Sequence, residues 1–207
     1  LAGISDLTGK PYTGEYQVAM RVIADHVRAL TFAIAEGALP SNEGRGYVLR
    51  RILRRAARYG RTLDMQEPFI HRLTRDLVGI MGGAFPEVAE KAEHVSAVIR
   101  AEEEGFGRTL DRGLEIFDEV AARGAISGED AFRLYDTYGF PLDLTQLMAA
   151  EKGLAVDEEG FQREMDSQRT RSREATKNAF SAQQTVAEGF LPDRHSEFVG
   201  YETLQAD

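Results

Sequence analysis

The chain has 207 residues, 43% of them hydrophobic and 29% charged, with a net charge of −9. That length can bury a real core in one domain or two small ones, and the acidic balance excludes a general polyanion binder, so any nucleic-acid contact must come from a local patch. With no cysteine and no tryptophan, disulfides and thiolate metal sites are excluded, which fits a reducing, cytoplasmic setting.

No apolar run is long enough to span a membrane, and no signal-peptide pattern opens the chain. The first residue is Leu1 rather than Met, so the sequence reads as a piece excised from a longer protein. Residues 1–14, "LAGISDLTGKPYTG", are rich in Gly, Thr and Pro and predict a loop or linker. From Tyr16 the apolar residues Val18, Val22, Ile23, Val27, Leu30 and Ile34 recur at helical spacing, until Gly37 and Pro40 end the element. A second helix is predicted from about Glu43 to Tyr59, closed by Gly60, and a third from about Glu67 to Met81.

A long helix follows, from about Pro86 to Ala122, with an apolar stripe through Val95, Val98, Ile99, Phe106, Leu110, Leu114, Phe117 and Val120. Glu104 and Arg108 are spaced to pair across one turn, and Gly105, Gly107 and Gly113 weaken the helix enough to allow a bend. Ser127 stands three residues before Asp130, a capping-box spacing that opens a short helix ending near Gly139. Pro141 suits the first turn of the next helix, which stops at Gly153, and a polar helix runs from about Asp157 to Lys177. The final "SEFVGYETLQAD" has apolar residues without helical spacing and reads as a strand cut short. The expected fold is all-α, an irregular helical bundle built around one long central helix, with a short C-terminal extended segment.

The stretch "SNEGRGYVLRRILRRAARYGR", Ser41 to Arg61, departs from the acidic whole: from 43 to 61, seven arginines against Glu43 alone leave a local balance of +6. On a helical wheel Val48, Leu49, Ile52, Leu53, Ala56 and Tyr59 share one arc. Arg50, Arg51, Arg54, Arg55, Arg58 and Arg61 fall in the opposite one. The plain reading is a solvated face that pairs with carboxylates elsewhere. Against it, the face contains no acid, and like charges at i,i+3 and i,i+4 spacing repel by a few tenths of a kcal/mol per pair. Phosphate would offset that repulsion, because guanidinium forks match its oxygens and stay charged.

The P-loop pattern, the dinucleotide fingerprint and the zinc-protease motif are absent. His26, His71, His94 and His195 lie far apart and read as structural or surface histidines. No constellation of residues forms a convincing active site.

Three segments carry a family resemblance: "RVIADHVRALTFAIAEGALPSNEGRGYVLRRILRRAARYG", "EEEGFGRTLDRGLEIFDEV" and "GEDAFRLYDTYGFPLDLT". In order and spacing they closely resemble the tRNA-recognition domain of bacterial alanyl-tRNA synthetases. The resemblance covers essentially the whole chain, and "SEFVGYETL" looks like the first strand of the editing domain that follows. It implies three parts: residues 1–15 as a linker from the catalytic domain, 16–178 as the helical recognition domain, and 179–207 as a linker with the first editing-domain strand.

It also implies a role in ATP-dependent attachment of alanine to its tRNA, with the chemistry elsewhere. The class II catalytic core would use ATP and magnesium upstream, and the editing domain would bind zinc downstream. No cofactor is expected within this segment, which would be inactive alone. The implied partners are the acceptor stem of the tRNA for alanine and the flanking domains of the same polypeptide. No membrane partner is expected, and the isolated segment is expected to be a monomer.

The family recognises a G·U wobble pair at the third step of the acceptor stem, and the residue types that read it match Asn42, in "PSNEGRGY", and Asp136, in "RLYDTYGF". A wobble pair leaves the guanine amino group without its partner in the shallow minor groove, where a protein oxygen can accept from it. Each residue also has a structural reading: Asn42, with Ser41, as a helix N-cap, and Asp136 as a backbone-bonding turn residue. Arg45, Arg50, Arg51, Arg54, Arg55 and Arg58 would then lie along the stem's phosphates, positioning while the bases specify. Where some relatives carry Asn two residues after Asn42, this chain has Gly44. The alternative from a different class is a helical scaffold whose arginine face binds an acidic protein partner.

Overall fold

The computed structural model describes residues 1–188, with side chains through 174. Residues 1–162 form one compact unit, and a second begins at Arg163. Among the described residues the fold is all-α. The expected strand at "SEFVGYETL" lies outside them.

Residues 1–14 are not all loop. Ala2–Thr8 forms α1, closed by Gly9 in the left-handed conformation, with Ile4 buried. Gly, Thr and Pro averaged over the window conceal two turns that one buried isoleucine anchors. Helix α2 (Tyr16–Ala35) turns Ala19, Met20, Ile23, Val27, Leu30 and Ile34 into the core. Helix α3 (Gly44–Thr62) packs along it with Leu49, Leu53, Ala56 and Tyr59 buried. It runs through Gly60, where a stop was expected, because the Phe69 ring fills the space a Cβ would take there.

Helix α4 spans Ile70–Met81. The single long helix expected from Pro86 is two: α5 (Pro86–Glu90) and α6 (Ala92–Ala121), which meet at Lys91. At 30 residues α6 is about 45 Å long and runs unbroken through its glycines. It packs against α2, α3, α4, α5 and α7 and is the spine of the unit. Its Glu104 pairs with Arg100 at 2.8 Å, one turn before it, rather than with Arg108.

Helix α7 packs on α6, and α8 packs on α7. Helix α7 (Gly128–Tyr138) opens as its sequence predicts, with Ser127 Oγ accepting from the Asp130 backbone N–H at 3.1 Å. Helix α8 (Leu142–Glu151) takes Pro141 as its N-cap. Helix α9 (Glu158–Glu188) begins where Asp157 Oδ1 accepts from the Gly160 N–H at 2.8 Å, and it runs beyond the expected Lys177. In the second unit, Arg169 pairs with Asp166 at 3.4 Å.

Candidate nucleic-acid interface

The apolar arc of α3 docks on α2 as its wheel predicts. The arginine arc lies against carboxylates from α6 and α8, the pairing that the plain sequence reading allowed. Arg50 Nη2 donates to Glu102 Oε2 at 3.0 Å, and Arg54 Nη2 donates to Glu102 Oε1 at 3.0 Å. Arg51 Nε stands 2.9 Å from Asp143 Oδ1. Arg58 Nη1 donates to Glu151 Oε1 at 3.0 Å, and a second bond from Nη2 to Oε2 makes that pair two-pronged. Arg61 forks onto Asp111, at 2.7 Å through Nε and 3.3 Å through Nη2. Repulsion along the face is thus relieved from within, since these four acids offset most of the helix's charge.

Glu102 is central to this arrangement. Its side chain is 14% exposed, and it holds two arginines spaced one helical turn apart. Burial pushes the Arg54 guanidinium below its usual range, with Glu102 pulling it back. Arg54 also lies 5.1 Å from the centroid of the Phe106 ring, a cation–π contact that favours arginine over lysine.

The predicted readers stand at the two ends of this network. Asn42 is exposed, and its side chain is not a helix cap: the N-cap of α3 is Glu43, with no side-chain bond. Asn42 Oδ1 instead accepts from Arg50 Nη1. An arginine only donates, so the amide oxygen must face it and the amide NH₂ is left as the outward end. Ser41 Oγ bonds to the Glu43 carbonyl at 2.9 Å, tightening the same loop. Gly44 sits at φ +55 with open space at its Cβ position, a conformation that glycine and asparagine adopt most readily.

Asp136 is exposed on the last turn of α7. That turn is pinned twice. Arg54 Nη1 donates to the Gly139 carbonyl, and Thr109 Oγ1 on α6 donates to the Tyr138 carbonyl at 2.8 Å. Gly139 has φ +73, and a Cβ there would lie 2.7 Å from Arg54 Nη1. Glycine is therefore needed both for the turn and for the close approach of the guanidinium.

A single chain of contacts thus runs from Asn42 through Arg50, Glu102 and Arg54 to Gly139, three residues beyond Asp136. The other two expected phosphate ligands differ from the rest: Arg45, exposed, and Arg55, half-buried, have no carboxylate partner among the described residues. The charge of Arg55 reaches His26 on α2, whose pKa is lowered chiefly by burial.

The sequence reading missed Glu102. A signal was available in "AEEEG", because Arg50 and Arg54 share a face and one carboxylate can serve both. Only the packing of α3 on α6, however, selects which of three glutamates does so.

Among the described residues no group of three or more His, Asp or Glu converges as a metal-binding set. No described helix is long and apolar enough to cross a membrane.

The chain is 53% identical over 214 residues to the alanine–tRNA ligase of Chlorobium phaeobacteroides, covering 98% of this chain and 24% of the relative. It is 50% identical over 202 residues to that of Pelotomaculum thermopropionicum, covering 93% of the chain and 23% of the relative. Against the Staphylococcus saprophyticus enzyme it is 47% identical over 210 residues, with coverages of 97% and 24%. The chain spans about a quarter of the length of these relatives. A family profile described as tRNA synthetases class II (A) matches residues 2–207. The chain belongs to the class II (A) tRNA synthetases.

Proposed function

We propose that this chain is the acceptor-stem recognition module of an alanine–tRNA ligase, reading the G·U wobble pair at the third step of the stem. In this reading the full-length protein joins alanine to its tRNA at the expense of ATP, and residues 16–178 hold the stem while flanking domains do the chemistry. Residues 1–15 would lead in from the catalytic domain and 179–207 out to the editing domain. The observation that supports the reading best is the contact chain joining Asn42 to the Gly139 turn, because two readers of one base pair must be held in fixed register.

Asp136 offers acceptor oxygens suited to the guanine amino group freed by wobble geometry. Asn42, its oxygen occupied by Arg50, offers an amide NH₂ suited to an acceptor on the pair or its ribose. Arg45 and Arg55, without carboxylate partners among the described residues, are the leading phosphate contacts. Arg50, Arg51, Arg54 and Arg58 border the same face and add unshared N–H donors to it.

The test is a titration with two acceptor-stem minihelices, identical except for G·U or G·C at the third pair, at low and moderate salt. A preference of about tenfold or more for the wobble stem is expected, in the range one mismatched pair commands. Indifference to either stem would sink the proposal and favour an acidic protein partner for the arginine face. Arg45→Ala should weaken both stems alike and reduce the salt slope.

A further inference from the structure

The arginine face does more than carry charge, and its organising residue is an acid. Glu102 is mostly buried, lies on α6 rather than on either reading segment, and meets Arg50 through both of its oxygens and Arg54 through Oε1. The far end of each arginine holds one of those segments: Arg50 the Asn42 side chain, and Arg54 the Gly139 carbonyl at the end of α7. Arg51, Arg58 and Arg61 are paired too, but with acids that hold neither segment. Among the described residues, Glu102 is therefore the acid that ties both halves of the reading site to one point on the spine.

We propose that Glu102 is the positioning residue for wobble-pair recognition, setting through Arg50 and Arg54 which end of the Asn42 amide is offered and where the turn carrying Asp136 sits. The inference rests on the reading of function given above. Its physical basis is the asymmetry of the guanidinium. With Glu102 in place, each arginine has one side of its fork occupied and the other aimed outward, so the segment it grips has a single rest position. Without the carboxylate, two partly buried positive charges one turn apart repel and seek new partners. The Asn42 amide then rotates freely and the Gly139 carbonyl loses its donor. Readout that depends on two groups at a fixed separation is sensitive to shifts on the order of 1 Å.

The experiment compares Glu102→Gln, Glu151→Gln and the unchanged chain in the two-minihelix titration, with thermal melts of each. Two-dimensional NMR of the RNA-free proteins follows the Asn42 side-chain amide and the Gly139 backbone amide. Glu102→Gln is expected to reduce the G·U preference to within about twofold, to leave G·C affinity and the salt slope nearly unchanged, and to shift both NMR signals. Glu151→Gln, which releases Arg58 without touching either reading segment, is expected to keep the full preference.

Full preference retained in Glu102→Gln would overturn the inference. So would weaker binding to both stems alike together with a lowered melting temperature, the mark of a merely structural residue. If Glu102→Gln does not fold, Glu102→Asp decides the matter: it keeps the charge but is too short to hold both arginines, and retained preference in it counts against the proposal. Absence of any wobble preference in the unchanged chain would refute the reading of function instead. The NMR arm still judges Glu102 in that case, and unmoved signals would reject its positioning role.

Discussion

Glu102 and Glu103 are adjacent on α6, about 100° apart around its axis, and they face different neighbours. Glu102 meets the arginine side of α3. Glu103, 4% exposed, turns inward to the start of α4. There it accepts from the backbone N–H groups of Phe69 and Ile70, both at 2.9 Å, and of His71 at 3.0 Å. The His71 ring adds a fourth contact at 3.1 Å. Helix α4 has no side-chain cap of its own, so Glu103 supplies one from 30-odd residues away, satisfying donors that would otherwise be buried unpaired. One carboxylate closes a helix end in the core. The other arranges cations around a surface site. The difference lies not in the residue type but in what stands opposite: backbone donors that have no other partner, or side chains that could find one.

That contrast predicts unequal consequences. Glu103→Ala should be the most damaging change, costing about 3 kcal/mol in urea unfolding, since two buried N–H groups and a part-buried third lose their acceptor together. A cost no greater than that of Glu102→Ala would dissolve the distinction. Gly139→Ala comes next, at about 1–2 kcal/mol from the left-handed backbone, and it should also cut wobble-pair preference because its methyl displaces Arg54. A variant that is destabilised yet still discriminates would break the link between Arg54 and the reading site.

His26 gives a pH-dependent comparison. Burial lowers its pKa, Arg55 adds to that effect, and Asp25, 3.5 Å away, opposes it. The folded chain then binds this proton less readily than the unfolded chain, whose imidazole titrates near about 6.5. The stability His26 confers is intact above that pH and is lost as the pH falls below it. Urea midpoints at pH 7.5 and pH 5.5 should diverge less in His26→Gln than in the unchanged chain. Equal divergence would assign the acid sensitivity to other groups. The smallest effect belongs to Glu151→Gln, within about 1 kcal/mol, because the Glu151 carboxylate is itself 39% exposed. A larger loss would mean that the whole arginine lattice, and not Glu102 alone, is structural.

Much of the fold was legible in sequence because local rules and packing agree along these helices. The apolar spacing of α2, the Ser127 cap and the left-handed Gly139 each follow from a few neighbouring residues. The exceptions have tertiary causes. Gly60 does not end α3, because Phe69 from the following segment occupies the space a side chain would need. Asn42 does not cap α3, because an arginine two turns on takes its oxygen.

The candidate site divides in the same way. The sequence by itself determined that α3 is amphipathic, with apolar residues on one arc and arginines on the other, since helical periodicity depends only on order along the chain. It also placed Asn42 beside that helix and Asp136 at the end of another. Only the tertiary structure decided that the arginines face four carboxylates from elsewhere in the chain, and that Glu102 rather than Glu103 or Glu104 meets them. The reason is range: helix propensity and capping act over a few residues, whereas a guanidinium on α3 meets whatever side chain the packing of α6 delivers, 48 to 52 positions away.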